Sequence, residues 1–295
     1  MNNTRMRLPS ILDRMRLSSS SQMPVGDGSP VLSSPTASVC LSYDVNNPPP
    51  HPGPSWTRFV CISDTHSRTL PVPPGDVLLH AGDLSSWGML AHLQVTLDWL
   101  QTLPHPAKIL IAGNHDISLD EEWRPGGVWE QKAGQGFVSQ DVDAALAVFR
   151  SQQLRDAGIY YLDHESLQIV TDNGRKWEIY GSPSAPRYAV GAFQYETKEE
   201  ANTIYDAIPS STEILLTHTP PYGICDVTRK GKQAGCKALA KKLQSKDLRN
   251  CRLHIFGHIH EAHGAVVGKT DGKYRASVNA AMHTGKQAVI VDLKN

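Results

Sequence analysis

The sequence predicts an α/β fold with a mixed sheet system. Five short runs of nearly continuous Val, Ile and Leu each end in polar residues, and they lie at 58–66, 76–83, 108–116, 213–221 and 252–260. Such runs are typical of strands covered on both faces. Amphipathic helical patterns, such as MLAHLQVTLDWLQTL, separate several of them, as in α/β connections. The segments ESLQIVTDNGRKWEIYG and AVVGKTDGKYRASVNA instead predict hairpins with turns at DNG and DG.

Composition divides the chain near residue 55. Nine of the twenty prolines fall in residues 1–55, and no apolar periodicity survives there. We interpret 1–55 as a disordered Ser/Pro-rich tail and 56–295 as the folded domain. Four arginines and a serine run near the start resemble a mitochondrial transit peptide in composition. A basic disordered start in a cytoplasmic protein is the preferred interpretation, with mitochondrial import as the alternative.

The charge balance excludes several classes of partner. The 29 basic and 29 acidic side chains cancel, so we expect neither stable nucleic-acid binding nor attraction to an anionic membrane surface.

No apolar stretch approaches the ~20 residues of a membrane-spanning helix, which predicts a soluble protein. The five cysteines are odd in number and lack C-x-x-C spacing, which favours reduced thiols in an intracellular protein. The sequence makes no prediction of oligomeric state.

Polar side chains at the five predicted strand ends are candidates for one site. Ligands in open α/β sheets bind beyond the carboxyl ends of the strands, so these side chains should converge. In chain order they are Asp64 and His66, Asp83, Asn114 and His115, His218, and His258 and His260. Carboxylate, imidazole and amide donors without thiolates suit manganese, iron, zinc or nickel. They disfavour a cysteine-rich zinc site and an all-oxygen calcium site.

The ordered motifs resemble those of the calcineurin-like metallophosphoesterases. These motifs are D-T-H at 64–66, G-D at 82–83, G-N-H-D at 113–116, a single His at 218 and G-H-I-H at 257–260. The stretches SDTHSRT, GDVLLHAGD, YGSP, THTPP, FGHIHE and VNA are similar to the small metallophosphoesterase-domain-containing subgroup. The resemblance covers almost all of 57–295. It implies a four-layer αββα sandwich with mixed sheets and an active site at the carboxyl ends of the strands.

The resemblance also implies a ligand set for two divalent metal ions. Asp64, His66 and His260 would bind one ion, and Asn114, His218 and His258 the other, with Asp83 bridging them. Two divalent ions roughly 3.5 to 4 Å apart need a shared anion and can hold an attacking hydroxide between them. Manganese, iron, zinc and nickel all fit the donors, and manganese is favoured for an assay.

Two neighbouring residues have implied catalytic roles. His115 would stand beside the metals and donate to a phosphoryl oxygen or to the leaving alkoxide. Asp116 could orient that imidazole, or it could cap a helix or turn, and both alternatives stay open. The remaining histidines are expected to be structural, solvated or on the rim, and they are His51, His80, His92, His105, His164, His254, His263 and His283.

Three further features are candidates for choosing the substrate. Arg68 could donate to a phosphate or could be a surface arginine. The loop at 181–195, with Arg187 and Tyr188, could stack a base or aromatic leaving group, although aromatic residues are more often core. The Gly-rich segment 121–137 carries Trp123 and Trp129 and could form a rim or lid.

These observations lead to a hydrolase hypothesis. The resemblance favours a phosphodiesterase for cyclic nucleotides or nucleotide-like diesters, so the expected partner is a small phosphate ester. One alternative is a phosphomonoesterase acting on small molecules or phosphoproteins. The other is a weakly active or inactive metal-binding scaffold, since similar animal proteins carry Gly where His258 stands here. The complete ligand set disfavours this last alternative.

Overall fold

Two β-sheets packed face to face form the centre of the fold. The structure is a computed structural model that describes residues 31–124 and 142–295. The strands are, in chain order, β1 Val31–Ser34, β2 Ala37–Cys40, β3 Trp56–Ile62, β4 Val77–Ala81, β5 Ala107–Ile111, β6 Ile159–Tyr161, β7 Glu165–Val170, β8 Lys176–Ser182, β9 Ala185–Pro186, β10 Gln194–Tyr195, β11 Ile214–Thr217, β12 Leu253–Phe256, β13 Gly264–Thr270, β14 Lys273–Asn279 and β15 Val289–Lys294.

The first sheet has seven strands in the order β1-β2-β15-β3-β4-β5-β6, and the second has six in the order β13-β14-β12-β11-β8-β7. β3 to β6 are parallel neighbours, and so are β8, β11, β12 and β14. β7 and β8 form one antiparallel hairpin and β13 and β14 another. Both hairpins and the mixed character of the sheets confirm the sequence-based predictions. β9 and β10 form a separate two-stranded parallel pair.

Helices cover the outer face of each sheet. They are α1 Leu90–Thr102, α2 Val142–Phe149, α3 Gln152–Asp156, α4 Lys198–Asp206 and α5 Lys237–Gln244, with short 3-10 turns at Ile117–Leu119, Glu121–Trp123, Lys246–Leu248 and His260–Ala262. α1 buries Leu93, Leu97 and Leu100, one stripe at helical spacing, against the first sheet. α4 begins with a reciprocal cap, in which the Thr197 side chain accepts from Glu200 N and the Glu200 carboxylate accepts from Thr197 N.

Strand period divides the apolar side chains between the layers. In β3, Phe59 and Cys61 face the core between the two sheets, whereas Val60 and Ile62 face the core under α1. Trp177 joins the sheets, because its ring meets Phe59 edge-on at 5.2 Å and its Nε1 donates to Thr57 Oγ1 at 3.2 Å. The α5 side of the second sheet has its own core. The layers therefore run helix, sheet, sheet, helix, which confirms the predicted αββα sandwich.

The N-terminal boundary differs from the prediction. β1 and β2 pair antiparallel, and β2 pairs with β15 through Val39 and Val291, so residues 31–40 belong to the first sheet. The prediction of a disordered tail is therefore wrong for 31–55. These strands are four residues long, and β15, which joins β2 to the rest of the sheet, lies about 250 residues away, so local proline and serine content concealed them. Residues 1–30, with the transit-like stretch, lie outside the described residues.

A buried ion pair holds the proline-rich segment to this sheet. The Arg58 guanidinium donates to Asp292 Oδ1 at 2.8 Å and to Asp292 Oδ2 at 2.9 Å. The same guanidinium donates to the carbonyls of Pro49 at 2.7 Å and Pro50 at 2.9 Å. Arg58 is only 4% exposed. One side chain thus connects β3, β15 and the connection that follows the hairpin.

We expect Asp292→Ala to lower the free energy of unfolding by about 3 to 5 kcal/mol, because it leaves the Arg58 charge buried without its partner. Urea denaturation followed by circular dichroism measures this change. The control is Asp143→Ala, which removes an exposed partner of Arg124 and should leave the free energy of unfolding close to that of the wild type. Equal effects of the two substitutions would contradict a structural role for the buried pair.

Across the described ranges, 31–124 and 142–295, no helix has both the length and the apolar character needed to cross a membrane.

Candidate metal centre

The polar side chains that follow five parallel strands meet at one edge of the two sheets. β3, β4 and β5 of the first sheet lead into Asp64 and His66, Asp83, and Asn114. β11 and β12 of the second sheet lead into His218, and His258 and His260. The carboxyl ends of both parallel sets therefore supply the same site, as predicted.

The backbone at this edge is held in an uncommon conformation. Asp64, His66, Asp83 and His258 have positive φ angles of 55°, 48°, 54° and 66°. Non-glycine residues seldom adopt this left-handed region, and such strain clusters at functional sites. Hydrogen bonds hold it in place, since Asp64 N donates to Gly82 O at 2.9 Å and His66 N donates to Asp83 O at 3.1 Å.

Glycine is required where the second sheet approaches the first. A Cβ atom on Gly257 would clash with the side chains of Asp64 and Ser63. The close approach lets His258 N donate to both Asp64 carboxylate oxygens at 3.1 Å. Gly257, which precedes His258 and His260, thus allows the close contact between the two halves of the site.

One half of the site contains Asp64, His66, Asp83 and His260. One donor atom from each lies within 4.8 Å of the others. His260 Nε2 is 3.1 Å from Asp64 Oδ1 and 3.4 Å from His66 Nε2. His66 Nε2 is 3.7 Å from Asp83 Oδ2. Two carboxylates and two imidazoles therefore converge.

The other half contains Asn114, His218 and His258. Asn114 Oδ1 is 3.0 Å from His218 Nε2 and 2.8 Å from His258 Nδ1. His218 Nε2 is also 3.4 Å from Asp83 Oδ1. Asp83 thus directs one carboxylate oxygen to each half, which is the arrangement that a bridging ligand requires.

The hydrogen bonds of two histidines show that these donors fit cations. His66 Nδ1 donates to Ser85 O at 3.2 Å, and His218 Nδ1 donates to Ala81 O at 2.9 Å. Each neutral ring therefore carries a lone pair on Nε2. His218 Nε2 nevertheless faces the oxygens of Asn114 and Asp83, which are themselves acceptors. Lone pairs that face each other without a proton suit a divalent cation, and imidazoles fixed by a backbone carbonyl are typical of metal ligands.

Burial keeps three of the four imidazoles in their ligand form at neutral pH, and His260 is the exception, because burial is outweighed there by the hydrogen bond to Asp64, which raises the His260 pKa. Burial lowers the pKa of His66 and of His258 to about 3, and it also lowers the pKa of His218. Because metal ions bind neutral imidazole, these rings need not lose a proton first.

The carboxyl groups of Asp64 and Asp83 have pKa values shifted in opposite directions. Burial disfavours the charged form of Asp64, but the His260 hydrogen bond and the charge of His218 outweigh it and hold the Asp64 pKa below its usual range. Burial, and then the charge of Asp64, raise the pKa of Asp83 well above its usual value. A cation beside Asp83 would offset both effects.

His115 lies beside the donor cluster. Its ring meets the His66 ring edge-on with centroids 4.8 Å apart, and its Nδ1 donates to Ser86 O at 2.6 Å. His115 N donates to Asp83 Oδ1 at 3.0 Å. The residue is therefore tied to the centre through its backbone, while its ring stays next to the ligands.

Asp116 does not orient His115, so that predicted role is wrong. Its buried carboxylate accepts from Gly113 N at 2.9 Å, Leu84 N at 3.0 Å and Ser85 N at 2.8 Å, and also from Ser85 Oγ at 2.8 Å. The carbonyl of Ser86 holds the His115 ring instead. Asp116 joins the segments after β4 and β5, which is closer to the capping alternative.

The residues predicted to choose the substrate differ in their surroundings. Arg68 donates to the carbonyls of Thr65 at 3.2 Å and Met282 at 3.4 Å, so part of its donor capacity serves the backbone. Arg187 pairs with Glu196, and Tyr188 is 88% exposed. Trp123 is buried in the core under α1, so the predicted rim role is wrong for it. Trp129 lies outside the described residues.

Two residues that no motif indicated, His283 and Trp87, also lie near the centre. The His283 ring lies 4.8 Å from the His66 ring and 4.4 Å from the His260 ring, although we expected a solvated or structural histidine. The Trp87 ring lies 5.3 Å from that of His115. Neither residue belongs to a motif, and only the folded connections bring them here. His80 and His254 do have structural partners, the hydroxyls of Thr65 and Thr217.

A family model and several curated proteins match this chain. The family model described as calcineurin-like phosphoesterase matches residues 57–262. Metallophosphoesterase domain-containing protein 1 of Homo sapiens is 36% identical over 246 residues, which span 79% of this chain and 70% of the relative. A UPF0046 protein of Caenorhabditis elegans is 32% identical over 75% of this chain and 69% of its own length. The solved structure of TT1561 of Thermus thermophilus aligns with a TM-score of 0.44 and 10% identity, covering 76% of this chain and 88% of that chain. The chain therefore belongs to the calcineurin-like phosphoesterase family of metal-dependent hydrolases.

Proposed function

We propose that the protein is a phosphodiesterase that cleaves nucleotide-like diesters, cyclic nucleotides included, at a centre for two divalent metal ions. The observation that carries the proposal is the position of Asp83, whose Oδ2 faces His66 at 3.7 Å and whose Oδ1 faces His218 at 3.4 Å. A carboxylate shared between two donor clusters is what a pair of like-charged ions requires.

The two ions would have separate ligand sets. One ion would be held by Asp64, His66 and His260, and the other by Asn114, His218 and His258. Asp83 would bind both ions. When bound, the ions would supply Lewis-acid polarisation of a phosphoryl oxygen and a water acidic enough to attack at neutral pH. Mn²⁺ is the first choice for loading the protein, since oxygen and imidazole donors without thiolate suit it.

The chain itself contributes proton transfer to the leaving group. Hydrolysis bonds the water oxygen to phosphorus, breaks the ester P–O bond and leaves an alkoxide that needs a proton. Doubly protonated His115 is suited to supply it, because its Nδ1–H donates to Ser86 O while its Nε2–H can pass a proton to the leaving oxygen, and the ring then regains a proton from the attacking water. Asp116 acts through other residues, since its hydrogen bonds to Leu84 N and Gly113 N keep the segments that carry Asp83 and Asn114 in register.

One observation supports a diester over a monoester. A phosphomonoester carries a second negative charge, which proteins often meet with bidentate arginine. The Arg68 guanidinium beside this centre instead donates to the carbonyls of Thr65 and Met282.

The test compares bis(4-nitrophenyl) phosphate with 4-nitrophenyl phosphate in Mn²⁺. We expect kcat/KM for the diester to exceed that for the monoester by about tenfold or more, a modest discrimination for an enzyme site. Preference for the monoester would establish a phosphomonoesterase instead. Metal content measured on the same preparation should reach two ions per chain. Substoichiometric metal with neither activity would support the scaffold alternative.

A further inference from the structure

We propose that the substrate carries a flat aromatic group and that Trp87, whose ring lies beside His115, binds it. This inference rests on the proposed function and specifies its substrate class, an aryl or nucleoside ester. The surface concerned, called the aromatic rim here, consists of Trp87, Met89, Tyr188 and Val190.

The residues of the aromatic rim are exposed, whereas Asp64, Asp83 and His218 of the metal centre are buried. Trp87 is 60% exposed, Met89 45%, Tyr188 88% and Val190 50%. Single exposed apolar residues are ordinary on protein surfaces. These four, however, lie on two segments that both contact the Asn114–His115 pair.

The first segment presents Trp87 rigidly. Its neighbour Ser86 accepts from His115 Nδ1 through its carbonyl and donates from its hydroxyl to His66 O at 3.2 Å. On the other side, Gly88 N donates to Ser85 Oγ at 2.8 Å, and a Cβ on Gly88 would clash with the backbone of Ile117. The backbone of Trp87 therefore lies between two fixed residues, so little backbone freedom is lost when a ligand binds.

The second segment reaches the other member of the pair. Ala192 N donates to Asn114 O at 2.9 Å, and Phe193 N donates to Asp120 Oδ2 at 2.7 Å. A Cβ on Gly191 would stand 2.9 Å from Asn114 O, so the loop approaches the centre closely. Tyr188 and Val190 precede this anchored stretch.

The position of His115 determines which part of the substrate meets the aromatic rim. If His115 protonates the leaving oxygen, the group bonded to that oxygen extends from His115 across the adjacent surface. That surface is the Trp87 ring, 5.3 Å from the His115 ring and inclined to it by 55°. An indole face stacks on aryl rings and nucleobases alike, because both are flat π-systems. A short alkyl ester would leave the ring uncovered.

Two phosphonates that differ only in the ring test this inference without turnover. Phenylphosphonate and methylphosphonate present the same head group, and calorimetry measures their Kd for the Mn²⁺-loaded full-length protein. The wild type should prefer the phenyl compound, and Trp87→Ala should reduce that preference about fivefold or more, as expected for one lost stacking contact. Trp87→Phe should retain most of it. Methylphosphonate affinity should be the same in both variants and in the control Val170→Ala, which shortens an exposed residue of β7.

The possible outcomes distinguish failure of the aromatic rim from failure of the proposed function. Equal binding of both phosphonates by the wild type, or equal weakening of both by Trp87→Ala, would overturn the aromatic rim while leaving the phosphoesterase intact. Binding of neither phosphonate by metal-loaded protein that hydrolyses bis(4-nitrophenyl) phosphate would overturn the aromatic rim, whereas absence of that hydrolysis would contradict the proposed function, and the inference with it. Competition by adenosine 5′-monophosphate against ribose 5-phosphate, during bis(4-nitrophenyl) phosphate hydrolysis, distinguishes a nucleobase from a simple aryl ring. If the nucleotide competes better than ribose 5-phosphate and this advantage depends on Trp87, the substrate is a nucleoside ester. If the wild type prefers the phenyl phosphonate but shows no such advantage for the nucleotide, the substrate is an aryl ester.

Discussion

Replacing Asp83 with alanine should remove both metal ions and lower kcat/KM by about 10³-fold or more. The reason is its position, since its two carboxylate oxygens face His66 and His218 in separate donor clusters. Metal ions contribute several kcal/mol of charge stabilisation to phosphoryl transfer, and each 1.36 kcal/mol is tenfold in rate. Inductively coupled plasma mass spectrometry after gel filtration measures the metal content, and bis(4-nitrophenyl) phosphate hydrolysis measures the rate.

Two companion variants distinguish metal loss from unfolding. Asp83→Asn keeps the side-chain shape and an acceptor for His115 N, so it should fold while binding less metal. Asp98→Ala removes an exposed carboxylate from α1 and should leave metal content and rate unchanged. Full metal content in folded Asp83→Ala protein would show that this carboxylate does not bridge.

His115→Ala should have the second largest effect, a decrease of about 10² to 10⁴-fold in kcat with both metals retained. The His115 ring donates to Ser86 O and lies beside the donors, so its removal should not open either metal site. Metal retention and kcat are measured on one preparation, by metal analysis and by steady-state kinetics with an unsubstituted phenyl ester. Loss of metal in this variant would make His115 a ligand and contradict the assigned role.

The leaving group gives a further check on proton donation. The defect of His115→Ala should be smaller for 4-nitrophenyl esters than for unsubstituted phenyl esters, because 4-nitrophenolate leaves without protonation. His51→Ala is the matched control. It removes an imidazole paired with Asp76, at the start of β4 and at the opposite edge of the sheet from the centre. A defect independent of leaving-group acidity would contradict proton donation.

Much of the fold and of the donor set could be predicted because parallel strands convert chain order into proximity. Each apolar run that ended in Asp, Asn or His supplied a side chain to the same edge, and Asp83 and His218 meet there although 135 positions separate them. The prediction that these side chains converge required only that the five strands run in the same direction. No individual contact between residues had to be known in advance.

What could not be predicted depends on three-dimensional contacts without a sequence period. The carboxylate of Asp116 accepts from main-chain N–H groups, and a main-chain partner leaves no trace in the sequence. His283 reaches His260 through the connection after β14, whose path depends on tertiary packing. β1 and β2 are too short to show alternation against a background of serine and proline.

The position of β15 also bears on the order in which the protein is assembled during synthesis. β15 lies between β2 and β3 in the first sheet, yet the ribosome makes it after every other strand of both sheets. Until it emerges, β2 has no inner neighbour and one side of β3 presents unpaired N–H and C=O groups. Nascent chains are therefore exposed to edge-to-edge association until residues 289–294 are available, and contacts this distant along the chain favour slow folding.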